Sequence, residues 1–357
     1  MDIRRISNLE EFENLRSEWT RLLTKNPVQD AFLTWEWLFA WWKHYGREHE
    51  LWLITARHSD ELVGIAPLML VNRRKYGLRL RVLCNIGTPN VDVGGFIVRR
   101  GEKQIYTAIS SYLIAQKKHW NLLELNEIPP ISFEKRYLVP HFASCGFEIR
   151  QRDNSHFFLP LKGGWKRYWE EMPSRLRHEL RRKERRLTEQ CEITLLHHSG
   201  DEVSWQDVAA IFEINEHAHY PHMYRSAEEK AFQREIFELM KKQGWLKIYL
   251  FLICDQPVAF LYGFYYKKRF EGWRAGFDLH YAYYSIGNLL YLRVIQDCFQ
   301  KGISEIDFLC GDEHYKTRWQ TNERQYTQLR FVPREKLTSQ IAFSWPPRLK
   351  ALLGRDQ

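Results

Sequence analysis

The sequence predicts an α/β chain built of two similar halves, and three observations carry that reading. A strand–turn–strand segment occurs twice, each copy is followed by strand, helix and strand in the same order, and the composition is that of packed globular domains. The copies are "LWLITARHSDELVGIAPLMLVNRRKYG" (Leu51 to Gly77) and "LKIYLFLICDQPVAFLYGFYYKKRFEG" (Leu246 to Gly272). They align without gaps, placing Asp60 opposite Asp255, Val63 opposite Val258 and Gly77 opposite Gly272. Asp-Glu and Asp-Gln-Pro mark the hairpin tips, and a basic turn is expected to close each copy.

Taken in order, the first half opens with the aromatic stretch "FLTWEWLFAWWKHYG" (Phe32 to Gly46). Its apolar residues recur at helical spacing, which predicts core and not a ligand box. After the first hairpin come "LRVLCNIG", "KQIYTAISSYLIAQKKHW" and "NLLELNEI", read as strand, helix and strand. "GTPNVDVGGF" (Gly87 to Phe96) follows the first of these strands, and it has no convincing anion-binding turn. The seam is expected in Arg150 to Trp165, where "HFFLPL" is a strand and Gly163-Gly164 a break. The expected domains are 1–155 and 156–335, with a tail at 336–357.

The second half begins with a basic helix. Leu176, Leu180 and Leu187 give it one apolar stripe, while Arg175, Arg177, Arg181, Arg182, Lys183, Arg185 and Arg186 load the rest with charge. Such a run can meet nucleic acid, but Glu179 and Glu184 interrupt it and a solvated face is expected. After the second hairpin, "EGWRAGFDL", "GNLLYLRVIQDCFQKG" and "ISEIDFLCG" repeat the strand–helix–strand order.

The 357 residues allow two domains, and 44% hydrophobic with 15% aromatic residues exclude intrinsic disorder. No run of about 18 apolar residues predicts a membrane span. The opening "MDIRRISNLEEFENLRSEW" mixes acids and bases and reads as no signal peptide, so a cytoplasmic location is expected. The six cysteines form no C-x-x-C pair and are expected to be scattered core residues, neither a zinc knuckle nor a disulfide frame. The net charge of +9 favours anionic partners without choosing among cofactor phosphates, nucleic acid and a membrane surface.

Five stretches carry a family resemblance: "FLTWEWLFAWWKHYG", "ELVGIAPLML" (Glu61 to Leu70), "RLRHELRRKERRL" (Arg175 to Leu187), "YYSIGNLLY" (Tyr283 to Tyr291) and "IDFLCGDEHYKTRW" (Ile306 to Trp319). The chain resembles the tandem GNAT-fold acyltransferases related to the FemAB peptidyl transferases and to the CelD-type proteins found with exopolysaccharide synthesis. The resemblance covers roughly residues 10 to 330, and its last two stretches are the most specific. It implies two GNAT-like domains in tandem, each a mixed twisted sheet flanked by helices. It also implies an acyl-CoA site, with acetyl-CoA the simplest donor, in the second domain. The first domain is then degenerate for CoA and lies on the acceptor side.

The residues can be read for that chemistry. A pyrophosphate needs backbone N–H groups at a helix start and a turn small enough to approach. Ser285, Ile286, Gly287, Asn288 and Leu289 are the candidates, although the turn has one glycine where the family has two. An ordinary Ser-capped helix start fits the same residues. After the last strand, Asp312 or Glu313 is the candidate base for the attacking amine, Tyr315 the acid for the departing thiolate, and Lys316 an anchor for an anionic group. Asp307, alternating with apolar neighbours, also fits a buried structural carboxylate. In "NEHAHYPHMYR" the histidines lack a further ligand for a metal, so no metal is expected. His219 and Tyr220 there are candidates to face the acceptor.

The function expected is transfer of an acyl group from a CoA thioester to an amine of a sugar, a saccharide precursor or a small metabolite. A FemAB-like aminoacyl-tRNA-dependent transferase is the alternative within enzymes, with nucleic acid ranked below the small donor. A non-catalytic scaffold of a polysaccharide-synthesis assembly is the alternative outside them. The sequence leaves the oligomeric state open.

Overall fold

The computed structural model describes residues 1–89, 91–219, 226–311 and 314–344. Contacts divide the chain into two units: Met1–Asn154 with the residues from Gln325 onward, and Ser155–Arg324. The first unit runs β1 (Asp2–Ile6), α1 (Leu9–Asn14), α2 (Arg16–Leu23), α3 (Trp35–Tyr45), β2 (Glu50–His58), β3 (Glu61–Lys75), β4 (Leu78–Asn85), β5 (Ile97–Val98), α4 (Lys103–Ala115), β6 (Leu122–Ile128) and α5 (Glu134–Ser144). β7 (Phe147–Pro160) belongs in part to each unit. The second continues with α6 (Gly164–Glu171), α7 (Ser174–Thr188), β8 (Ile193–Ser199), α8 (Trp205–Glu216), α9 (Ala227–Lys242), β9 (Leu246–Ile253), β10 (Gln256–Tyr266), β11 (Arg269–Phe277), α10 (Ile286–Gln300), β12 (Glu305–Cys310) and α11 (His314–Thr317). Most of β13 (Asn322–Pro333) returns to the first unit.

The two units share one plan. The first orders its strands β1-β2-β3-β4-β6-β13, all antiparallel except the parallel pair β4/β6, and β5 adds to β3. The second orders them β8-β9-β10-β11-β12-β7, again with one parallel pair, β11/β12. The repeated hairpins are β2–β3 and β9–β10, and the residues at their tips, Ser59 and Cys254, take similar left-handed conformations with φ of 54° and 49°. The gapless match ends there. Gly77 does sit in the turn after β3, but the turn after β10 is Lys267-Lys268, so Gly272 lies inside β11. The cause is length: β3 has 15 residues and β10 has 11.

β3 is buried from Leu62 through Val71, and a strand covered on both faces reads as a continuous apolar run, not an alternating one. α3 starts at Thr34, whose hydroxyl accepts the Trp37 N–H at 3.4 Å, and Trp35, Trp37, Phe39 and Trp42 fill the core as expected. Trp35 and Phe39 stack one turn apart with ring centroids 4.3 Å apart. In the second unit Tyr249, Phe270, Leu289, Val294 and Trp319 belong to one core that anchors α10.

Two expectations need correction. The run "YWEEMPSRLRHELRRKERRLTEQ" (Tyr168 to Gln190), which reads as one basic helix, is broken into α6 and α7 at Met172-Pro173, because proline has no N–H to donate and drives the residue before it out of the helical region. The cysteines are not all separate: Cys191 and Cys254 form a disulfide, with Cα atoms 5.6 Å apart. Pairing of Ile193 with Ile253 brings them together, an adjacency that a separation of 63 residues hides in the sequence. No described helix is long and apolar enough to cross a membrane.

Candidate active site

The parallel pair of the second unit is short. β11 and β12 are joined only through Arg269–Glu305, Phe270–Ile306 and Glu271–Asp307. β11 then continues along β10 to Phe277, while β12 bends at Leu309, whose φ is 60°, to reach His156 on β7. Asp307 fastens this bend. Its buried carboxylate accepts the Leu309 N–H at 2.8 Å and faces Arg324 at 3.6 Å, which is the structural role open to it in the sequence.

The diverging end of β11 borders a cavity of about 460 Å³. Ala275, Gly276 and Phe277 line it from β11, Gly287, Asn288, Leu290 and Tyr291 from α10, and Tyr315 from α11; Asn215, Ala218 and His219 line it at the end of α8. Gly276 keeps this wall flat, since a Cβ there would come within 2.7 Å of the Phe260 ring.

At the mouth of α10, Ser285 adopts φ 55°, ψ 43° and turns the chain into the helix. Its carbonyl accepts the N–H groups of Asn288 and Leu289 at 2.9 and 3.2 Å. Of the amides expected to face a ligand, these two are therefore spent within the helix. Those of Ile286 and Gly287 have no backbone acceptor among the described residues, and they carry the positive end of a 15-residue helix. The side chains of Ile286 and Leu289 are buried and lock the turn to the core, while Ser285, Gly287 and Asn288 reach the cavity.

At the other end, Tyr315 packs on Tyr291, ring centroids 5.2 Å apart, and accepts a hydrogen bond from the Tyr291 hydroxyl at 3.3 Å. Tyr291 was not singled out in the sequence. Its signal is its place on α10, one turn beyond the phosphate-type loop and on the same face as Asn288. Lys316 departs from expectation. It is only 2% exposed, and its ammonium donates to the carbonyls of Cys310 at 2.6 Å, Gly311 at 3.4 Å and Leu309 at 3.5 Å. A strand that bends leaves carbonyls unpaired, and Lys316 satisfies them instead of meeting an acceptor. His219 is exposed at the cavity rim, its ring 6.1 Å from that of Phe277. Asp312, Glu313 and Tyr220 lie outside the described residues.

A family model described as an acetyltransferase (GNAT) domain matches residues 174–317, from the start of α7 to the end of α11. No curated protein matches the sequence significantly. Among solved structures the chain is similar to FemX, at 10% identity and TM-score 0.61, covering 93% of this chain and 97% of that one. It is also similar to the C-terminal domain of a putative lysylphosphatidylglycerol synthetase from Agrobacterium fabrum, at 10% identity and TM-score 0.55, covering 92% and 93%. A conserved Bacteroides thetaiotaomicron protein of unknown function follows, at 12% identity and TM-score 0.53, covering 93% and 99%. At such identities the likeness concerns the fold. With one GNAT match and the same strand plan in both units, that fold is two GNAT-like units in tandem, similar to the fold of FemX.

Proposed function

We propose that the chain is an N-acyltransferase whose second unit binds a CoA thioester, most simply acetyl-CoA, and passes the acyl group to an amine of a sugar, a saccharide precursor or a small metabolite. One observation carries the reading: a single cavity joins a helix start with the uncommitted Gly287 amide to a tyrosine hydroxyl held by a second tyrosine. The Gly287 amide meets the pyrophosphate, where the helix dipole and an orphan donor act together. The edge of β11 beyond Glu271, released from β12, is a row of backbone donors and acceptors for the amide-bearing arm of the donor.

The step requires the amine nitrogen to attack the thioester carbonyl while losing a proton. Asp312 or Glu313 accepts that proton, directly or through water. The C–S bond then breaks, and Tyr315 gives its proton to the departing thiolate. No covalent enzyme intermediate is needed.

A second reading is an aminoacyl-tRNA donor, as the FemAB resemblance implies; the basic face of α7 beside the α10 turn favours it. A thermal-shift series with acetyl-CoA, CoA and tRNA separates the two, since a ligand bound only by the native state raises its melting temperature. Stabilisation by acetyl-CoA and CoA supports the proposal. Stabilisation by tRNA alone replaces it, and a chain stabilised by none fits the scaffold reading.

A further inference from the structure

α7 does more than pack against the second unit. Lys183 donates its ammonium to the Tyr283 carbonyl and places it 4.4 Å from the Tyr283 ring centroid. Arg186 donates to the Tyr283 hydroxyl at 3.1 Å, and the Tyr284 hydroxyl donates to Gln190 at 2.7 Å. Tyr283 stands two residues before Ser285 and next to Ala282, which lines the cavity. An aromatic ring left 64% exposed, with cations on one side and an anion-type turn on the other, has a geometry that a buried-core role does not explain.

Resting on the CoA reading, we propose that α7 and Tyr283 form the site for the nucleotide end of the donor: Tyr283 stacks the base, and Arg182 with Arg186 takes the phosphate remote from the pyrophosphate. Arg182 and Arg186 are exposed one helical turn apart, and Arg182 has no carboxylate partner among the described residues. Guanidinium groups suit phosphate by geometry as well as charge.

The rest of the helix argues for one nucleotide over a long RNA backbone. Arg185 pairs with Glu189, Arg177 donates to the Met172 carbonyl, and Arg181 lies over the Trp169 ring. The acids are also answered from within, Glu179 by Arg318 and Glu184 by Arg293. Among the described residues only Arg175, two turns away, and Arg182 lack such a partner, so the charge left beside the turn is a local patch and not a stripe that tracks a phosphate chain.

The test compares CoA with dephospho-CoA, which lacks only the 3′-phosphate, by calorimetry on the full chain. Wild type should prefer CoA by roughly tenfold or more, the scale of a lost charge-assisted contact. In the Arg182→Ala/Arg186→Ala variant that preference should collapse, with the ligand-free melting temperature unchanged because both side chains are exposed. Tyr283→Ala should weaken both ligands alike, by roughly tenfold. Equal wild-type affinity for the two ligands, or a preference that survives in the double variant, overturns this inference and leaves the CoA reading standing. Binding of neither ligand, with tRNA binding lost in the double variant, overturns both.

Discussion

The two units differ most at the place where their plans agree best, the gap beyond the short parallel pair. In the first unit β4 and β6 part after Cys84 and Glu124, and the gap is filled from within. The Asn85 side chain accepts the Asn126 N–H at 2.9 Å, and Gly94 donates its own N–H to the Glu127 carbonyl at 2.9 Å. Past the strand, Glu134 at the start of α5 accepts the Phe96 N–H at 2.6 Å and closes the loop. In the second unit the corresponding gap borders a cavity, and the residue past the strand that faces it is Tyr315. One topology thus yields a sealed core or an open cavity, according to whether the loop after the fourth strand of the unit folds back into the gap or runs on into a helix start.

The largest effect expected from breaking this contrast is at Tyr315. Tyr315→Phe keeps the ring and deletes the donor, so turnover should fall by ~10²–10⁴-fold with CoA affinity little changed. Tyr291→Phe, which removes only the hydrogen bond to Tyr315, should cost about tenfold or less. Both are read in steady-state kinetics with an amine acceptor, or in acetyl-CoA hydrolysis. Wild-type turnover in Tyr315→Phe would move the chemistry elsewhere.

The seal of the first unit should be sensitive to volume in a way the turn of the second is not. A Cβ on Gly94 would lie 2.2 Å from the Asn126 carbonyl oxygen, which is backbone and cannot swing aside. Gly94→Ala should therefore cost roughly 2–4 kcal/mol in denaturant unfolding. At Gly287 the nearest atoms to a new Cβ belong to the Phe277 ring, at 3.3 and 3.4 Å. Gly287→Val should leave the melting temperature nearly unchanged and weaken CoA binding by roughly tenfold or more, because its branches crowd the approach to the amides. Equal CoA affinity in wild type and Gly287→Val would remove the turn from the site.

What was legible in the sequence was local. Hairpins and the Ser285 turn announce themselves through neighbouring residues, so the repeat and the cavity's α10 wall could be read directly. What was not legible depends on residues brought together by strand pairing. Lys316 looks like a surface anchor until β12 bends and leaves carbonyls for it to satisfy. The Cys191–Cys254 bond needs the β8/β9 register, and Gly94 looks like one glycine of a loose loop until β4 and β6 part around it.

The smallest expected effect concerns Glu134, and it tests how the seal is charged. Burial pushes this carboxyl above its ordinary value of 4.5, outweighing the Phe96 N–H that would lower it. The folded chain therefore holds this proton more tightly than the unfolded chain does. Stability from this site is fully present below the unfolded value and is lost as pH rises from about 4.5 through the raised value. Glu134→Gln keeps the shape and an oxygen for the Phe96 N–H but cannot ionise. It should match wild type within about 1 kcal/mol at low pH, where wild type is protonated, and gain on it as pH rises. Unfolding free energies across that range, for the two proteins side by side, check the sign. A variant that loses stability relative to wild type with rising pH would mean that the seal holds a carboxylate after all, with a cation near enough to keep it charged.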